Sequence, residues 1–243
     1  LTEHTTIEIF GNDWWMGNLS TIFVIIAIIF LGKKSNNVIK ERILKIIGGI
    51  SLFRWVFIQY YAYDIGIWSV QSSLPLQMCS FSSLFCGIVV FYRKQYLYEF
   101  VYYMGISSAI HSLLTPEFTM GNEGYLFFEY YLNHGLIALI PLYFTLVLNY
   151  KPKKYSWLTT ILYAQILIMI AGTANWLFGA NYMYLAEKPI VNNPFVIGEW
   201  PWYIFGLQFA GLLHFIILYI PFSFKNKFSE VEIKNNELEI DGL

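Results

Sequence analysis

Charge is scarce in this sequence. Asp, Glu, Lys and Arg supply 13% of its 243 residues, while 57% are hydrophobic and 20% aromatic. That is about half the charged share of a soluble globular domain. Too little polar surface is on hand to coat a body in water, which excludes a soluble enzyme, a nucleic-acid reader and a disordered scaffold. Cysteine is rare as well. Cys79 and Cys86 stand in one apolar run, about 10 Å apart along a helix, too far to bridge to each other. The chain has no Gly-rich phosphate loop and no His-x-x-x-His or Cys-x-x-Cys pair, so neither a metal nor another cofactor is expected. Internal repeats and low-complexity tracts are absent too.

What the chain has in abundance is apolar length. Seven runs, at 15–31, 44–62, 76–92, 96–114, 127–149, 156–178 and 202–222, are each long enough to cross a hydrocarbon core of about 30 Å. The expected fold is all-α: a polytopic membrane protein whose seven-transmembrane-helix bundle occupies 15–224. A short extracytoplasmic segment covers 1–14, and a polar, acidic tail covers 225–243, solvated or disordered on the cytoplasmic side. Basic residues alternate by loop. Lys33, Lys34, Lys40, Arg42, Arg93, Lys94, Lys151, Lys153, Lys154, Lys225 and Lys227 fall on one side, and only Lys188 on the other, among Asp64, Glu117, Glu123, Glu187 and Glu199. The positive-inside rule then sets the N-terminus outside and the C-terminus in the cytoplasm. Residues 1–13 carry acidic side chains and no Lys or Arg, unlike the basic start of a cleaved signal peptide.

Aromatic residues such as Trp14, Trp15, Tyr60, Trp68, Trp200 and Trp202 crowd the outer boundary, most of them as an interfacial belt. The polar residues within the spans carry more information. Ionisable groups in a bilayer are costly and turn toward a bundle interior or a wet cavity. Counting along the helices sets Gln77, Cys79, Ser107, Ser108, His111, Asn133, His134 and Asn175 at one level in the outer half of the membrane, with Asn181 just beyond it. Taken singly, Ser82, Ser83 and Gly87 read as small residues for close helix packing, and Cys79 as a small hydrophobe. A thiol and an imidazole converging at one depth raise both. His214, on the inner half of the last span, is expected to be a hydrogen-bonded core residue distant from this layer. Arg54, near the midplane, must have a partner, for which Glu99 and a lipid phosphate are the candidates.

Five blocks in order carry a resemblance: Leu74-Pro75-Leu76-Gln77-Met78-Cys79, Leu113-Leu114-Thr115-Pro116, Tyr130-Tyr131-Leu132-Asn133-His134-Gly135, Asn181-Tyr182-Met183-Tyr184 and Trp200-Pro201-Trp202-Tyr203. Over roughly residues 10–224 the chain resembles the YwaF-like bacterial integral membrane proteins, which are similar in turn to the eukaryotic transmembrane protein 164 family. The resemblance implies a multi-pass protein of a bacterial plasma membrane. It also implies a lipid acyltransferase with Cys79 as nucleophile and His134 as base. Gln77 stands where the bacterial pattern often has His, and His111 where it requires none.

The chemistry of the residues is compatible with that activity. A thiol of reference pKa about 8.5 becomes a nucleophile when a nearby imidazole takes its proton. Attack on a phospholipid ester would leave the acyl chain on Cys79, and a lysophospholipid hydroxyl would then collect it. Gln77, His111, Asn133, Asn175 and Asn181 are the candidates for binding substrate or stabilising the oxyanion. Membrane lipids serve as both substrates, so no soluble domain is needed. The competing expectation is a seven-helix receptor or transporter that holds a small ligand in the same outer polar layer.

Overall fold

A computed structural model describes residues 4–191 and 193–240, with side chains as far as Ser223. The chain is all-α apart from one two-stranded ribbon and short turns. Its helices are α1 (Asn12–Lys34), α2 (Asn37–Asp64), α3 (Met78–Phe91), α4 (Gln95–Phe100), α5 (Ile106–Leu114), α6 (Tyr125–Leu146), α7 (Ser156–Phe178) and α8 (Trp202–Ile240). A π-turn, Val101–Gly105, joins α4 and α5 into one rod, so the described residues form seven helical rods. Four helices, α1, α2, α7 and the 202–223 part of α8, are long and apolar enough to cross a membrane, and α3 is a shorter apolar helix. α8 carries helical backbone on to Ile240, through most of the stretch expected as a tail. The side chains of that stretch, Lys225 and Lys227 included, and the residues from Asp241 onward lie outside the described residues.

Large apolar side chains cover the outside. Phe23 is 72% exposed, Trp176 83% and Phe205 60%, a surface suited to lipid rather than water. The belt expectation divides: Tyr60, Trp200 and Trp202 are exposed, while Trp14, Tyr131, Tyr182 and Tyr203 are buried.

The core is built where α3, the α4–α5 rod and α6 pack together, around Val89, Val90, Tyr98, Tyr103, Ile137, Ile140, Tyr143 and Phe144. Its tyrosines tie the helices to one another, as buried phenols must find partners. The Tyr98 hydroxyl meets Thr145 Oγ1 at 2.9 Å, that of Tyr103 meets Ser156 Oγ at 3.1 Å, and Tyr143 donates to Lys40 O at 3.0 Å.

Small residues set the helix spacing. A Cβ on Gly87 would lie 2.4 Å from the Leu52 side chain, and one on Gly105 would lie 2.7 Å from the carbonyl oxygen of Ile137. That carbonyl is free because Pro141, four residues on, has no N–H to donate to it. Cys86 takes up the role, its thiol 3.9 Å from Ile137 O. Ser51 donates to Ser83 O at 3.1 Å, fastening α2 to α3.

Candidate functional site

The five sequence blocks meet around one place. The Leu74 N–H donates to the Tyr182 hydroxyl at 3.0 Å, and that hydroxyl donates to Val70 O at 2.6 Å. The Met183 N–H donates to Gln77 Oε1 at 2.8 Å, and Tyr203 donates to Tyr184 O at 2.8 Å. The turn 180–185 is thus held against the segment leading into α3. Tyr130 joins two further blocks: its hydroxyl donates to Ser112 O at 2.7 Å and accepts from the Glu117 N–H at 3.3 Å.

Beneath these loops lies a cavity of about 630 Å³. Gln77, Cys79, His111, Asn133, His134 and Arg54 all line it. Asn175 and Asn181 do not. Asn175 instead clamps Tyr182, accepting its N–H at 2.7 Å and donating to its carbonyl at 2.9 Å. Asn181 accepts the N–H groups of Ala186 and Glu187, both at 3.0 Å. Both side chains are spent on shaping the loop.

Cys79 sits in the first turn of α3, just after Gln77, whose extended backbone caps the helix. Its Sγ lies 3.4 Å from Ser112 Oγ, and Ser108, one turn earlier on α5, also lines the cavity. His134, in α6, donates from Nδ1 to Tyr130 O at 2.6 Å. A carbonyl can only accept, so the proton is on Nδ1 and Nε2 keeps its lone pair. The His134 ring lies 4.1 Å from that of Tyr130, centroid to centroid. No hydrogen bond joins Cys79 to His134 directly. The two are linked through neighbours: Ser112 lies beside the thiol and accepts the Tyr130 hydroxyl at its carbonyl, and the Tyr130 ring lies against that of His134.

The amide oxygen of Gln77 is taken by Met183, which leaves its NH₂ group as a donor. Asn133 is buried with Oδ1 unpartnered, and Ser107 Oγ is likewise buried and unpartnered. Both residues line the cavity.

Arg54 corrects an expectation. Its acidic partner is Glu129 rather than Glu99, with Nη1 on the carboxylate and Nη2 donating to Ser83 Oγ at 2.9 Å. Glu99 accepts from Gln95 Nε2 and from the Lys153 N–H, both at 2.8 Å, and so holds the loop before α7. His214 corrects another. It is hydrogen-bonded as expected, from Nδ1 to Ala210 O at 2.6 Å, yet its ring lies 4.7 Å from that of His111 and it lines the cavity. Counting residues from helix ends assumes that the ends are level, and packing does not keep them so.

At the mouth, Glu117 gathers the covering segments. It accepts the Ile190 N–H at 3.1 Å and the Val191 N–H at 3.3 Å, and pairs with His4 at 2.7 Å. Beside it, the ribbon of β1 (Thr5–Thr6) and β2 (Glu117–Phe118) brings the N-terminal segment over the site. Burial and the adjoining Glu117 carboxylate push the Tyr184 phenol above its ordinary pKa, so it stays a neutral donor. Ser112, Glu129, Gln165 and Gln208 also line the cavity without having been singled out from sequence. The signal for the two glutamines was an uncharged polar residue inside an otherwise apolar run.

Among the described residues, no three His, Cys, Asp or Glu side chains converge as a metal would need. Residues 9–219 match the TMEM164 family. The chain belongs to that family. The match takes in every cavity-lining residue named here and stops short of the polar end of α8. No curated protein and no solved structure matches the chain.

Proposed function

We propose that this TMEM164 family member is a membrane-embedded acyltransferase that moves a fatty acyl chain from a phospholipid to a lysophospholipid through a thioester on Cys79. The observation that carries this reading is the shared cavity: one thiol, one imidazole with a free Nε2, and amide donors from Gln77 and Asn133 line a single chamber. In the first half-reaction His134 takes the thiol proton, Sγ attacks the ester carbonyl, and the C–O bond breaks. The departing lysophospholipid oxygen takes that proton from His134 and leaves as an alcohol, which returns the imidazole to its neutral form. In the second, His134 takes the proton of an acceptor hydroxyl, whose oxygen attacks the thioester; the C–S bond breaks and the departing Cys79 sulfur recovers the proton from His134. The oxyanion formed in each half needs donors close by, and the NH₂ groups of Gln77 and Asn133 supply them. Ser112 stays beside Cys79 and orients its thiol.

Intact-protein mass spectrometry after incubation with phospholipid vesicles is expected to find an acyl adduct on Cys79 that hydroxylamine releases, as it does thioesters. An adduct on Cys86, or none on either cysteine, would leave the cavity as a binding pocket.

The same reading places all seven rods across the plasma membrane, N-terminus outside and C-terminus in the cytoplasm. The alternation of basic loops supports it. A cysteine introduced at Lys153 is expected to resist impermeant thiol reagents added to intact cells, and labelling from outside would reverse the orientation.

A further inference from the structure

The cavity does not end at the polar layer. Its lining continues along α7 at Ile161, Ala164, Gln165 and Ile168, and along α8 at Ile204, Leu207, Gln208, Gly211, Leu212 and Phe215. On α7 the set recurs at helical spacing of three, four and seven, a single face; on α8 Phe209, Ala210 and His214 line the cavity as well, so that helix meets it over a broader front, and the two helices border one groove. On α8 the lining spans the twelve residues 204–215, about 17 Å along the axis. Apart from the two glutamines and His214 this arm is apolar. It also reaches the lipid-facing surface: Phe209 lines the cavity and is 61% exposed. A Cβ added at Gly211 would meet no heavy atom within 4 Å, so there is space beside the backbone at that point.

We propose that the groove between α7 and α8 is the site of the acyl chain that Cys79 transfers, and that the chain enters sideways from the bilayer past Phe209. This rests on the acyltransferase reading for the word "transfers", but the chain site stands on its own geometry. The shape fits the two ends of a lipid. The polar chamber with Gln77, Cys79 and His134 takes the ester, and the apolar arm continuing from it takes the hydrocarbon tail. A fatty acyl chain is the occupant that such an arm favours, because the groove opens to hydrocarbon rather than to water. α7 and α8 touch at few points, which leaves room for a chain to slide between them. A methylene is as apolar in the bilayer as in the groove, so the groove selects chain length by the space it offers past Gly211, where a Cβ would meet nothing within 4 Å.

The test uses the full-length protein in vesicles with a phospholipid bearing a photoactivatable diazirine near the far end of one acyl chain. Cross-links are expected on residues 161–168 and 207–215, in Cys79→Ser as in the native chain. Cross-links confined to outward residues such as Phe23 or Phe53, or spread evenly over all lipid-facing helices, would overturn the proposal. Gly211→Phe is expected to shift captured chains toward shorter lengths, while Gly49→Phe, also at a point with nothing within 4 Å but away from the cavity, leaves the distribution unchanged. An unshifted distribution in folded Gly211→Phe protein overturns it equally. Cross-links in the groove without a thioester on Cys79 would keep the chain site and remove the catalytic reading. A thioester with cross-links elsewhere would do the reverse.

Discussion

Cys79→Ser is expected to stop acyl transfer between labelled phospholipid and lysophospholipid, a loss on the order of 10³-fold or more, with the fold intact. Cys86→Ser is expected to leave transfer at its native rate. The two cysteines share a helix, yet their surroundings differ. Cys79 lines the cavity beside Ser112, whereas Cys86 is fully buried and satisfies the carbonyl of Ile137 that Pro141 leaves free. A serine hydroxyl donates to that carbonyl as well as a thiol does. His134→Ala removes the base and is expected to cost about 10²- to 10⁴-fold at neutral pH. Part of that loss should return as the pH rises, because hydroxide can then deprotonate the thiol. Equal losses from both cysteine variants, or full transfer by Cys79→Ser, would sink the assignment of the nucleophile.

Breaking the Arg54–Glu129 pair is expected to destabilise the protein by about 3–5 kcal/mol in either single variant, Arg54→Met or Glu129→Leu, because each leaves one buried charge without its partner. Both side chains are more than nine-tenths buried. The double variant is expected to recover a large part of that loss, since it removes both charges and their desolvation together. Unfolding in detergent, followed by helical circular dichroism, reads all three. A double variant no more stable than the worse single one would show that the pair does not act as a unit. Ser83 sharpens the expectation: its Oγ accepts from Arg54 while its carbonyl accepts from Ser51. The ion pair is therefore part of the seam joining α2, α3 and α6, as well as part of the cavity wall.

The helical class was readable directly from apolar length. The run at 156–178 coincides with α7, whereas α2 begins seven residues before its run and α8 continues as helix past 222 to Ile240, since polar residues can extend a helix beyond its apolar length. Most of the polar layer could also be read, because ionisable and amide groups are rare in spans and each one stands out. Pairing was hidden. Glu99 was the acidic candidate for Arg54 from sequence depth, and only the packing of α6 on α2 selects Glu129. His214 was misplaced for the same reason, since relative helix offset is a three-dimensional quantity. Asn175 and Asn181 looked like the other layer members, but a side chain that folds back on its own loop is indistinguishable in sequence from one that faces a cavity.

The π-turn at Val101–Gly105 has a consequence for how the site is encoded. Each residue of an α-helix advances by about 100°, and a π-turn holds one residue more than the α-helical turn it replaces. α5 is therefore out of phase with α4: Tyr98 faces the core, and Ser108, His111 and Ser112 face the cavity. Deleting any single residue from 101–105 would restore an unbroken α-helix of nearly unchanged composition and hydropathy. It would also swing those three side chains by about 100°, taking the Ser112 hydroxyl away from the Cys79 thiol. Their address in the site is thus a matter of counting, set by the number of residues in the segment that precedes them.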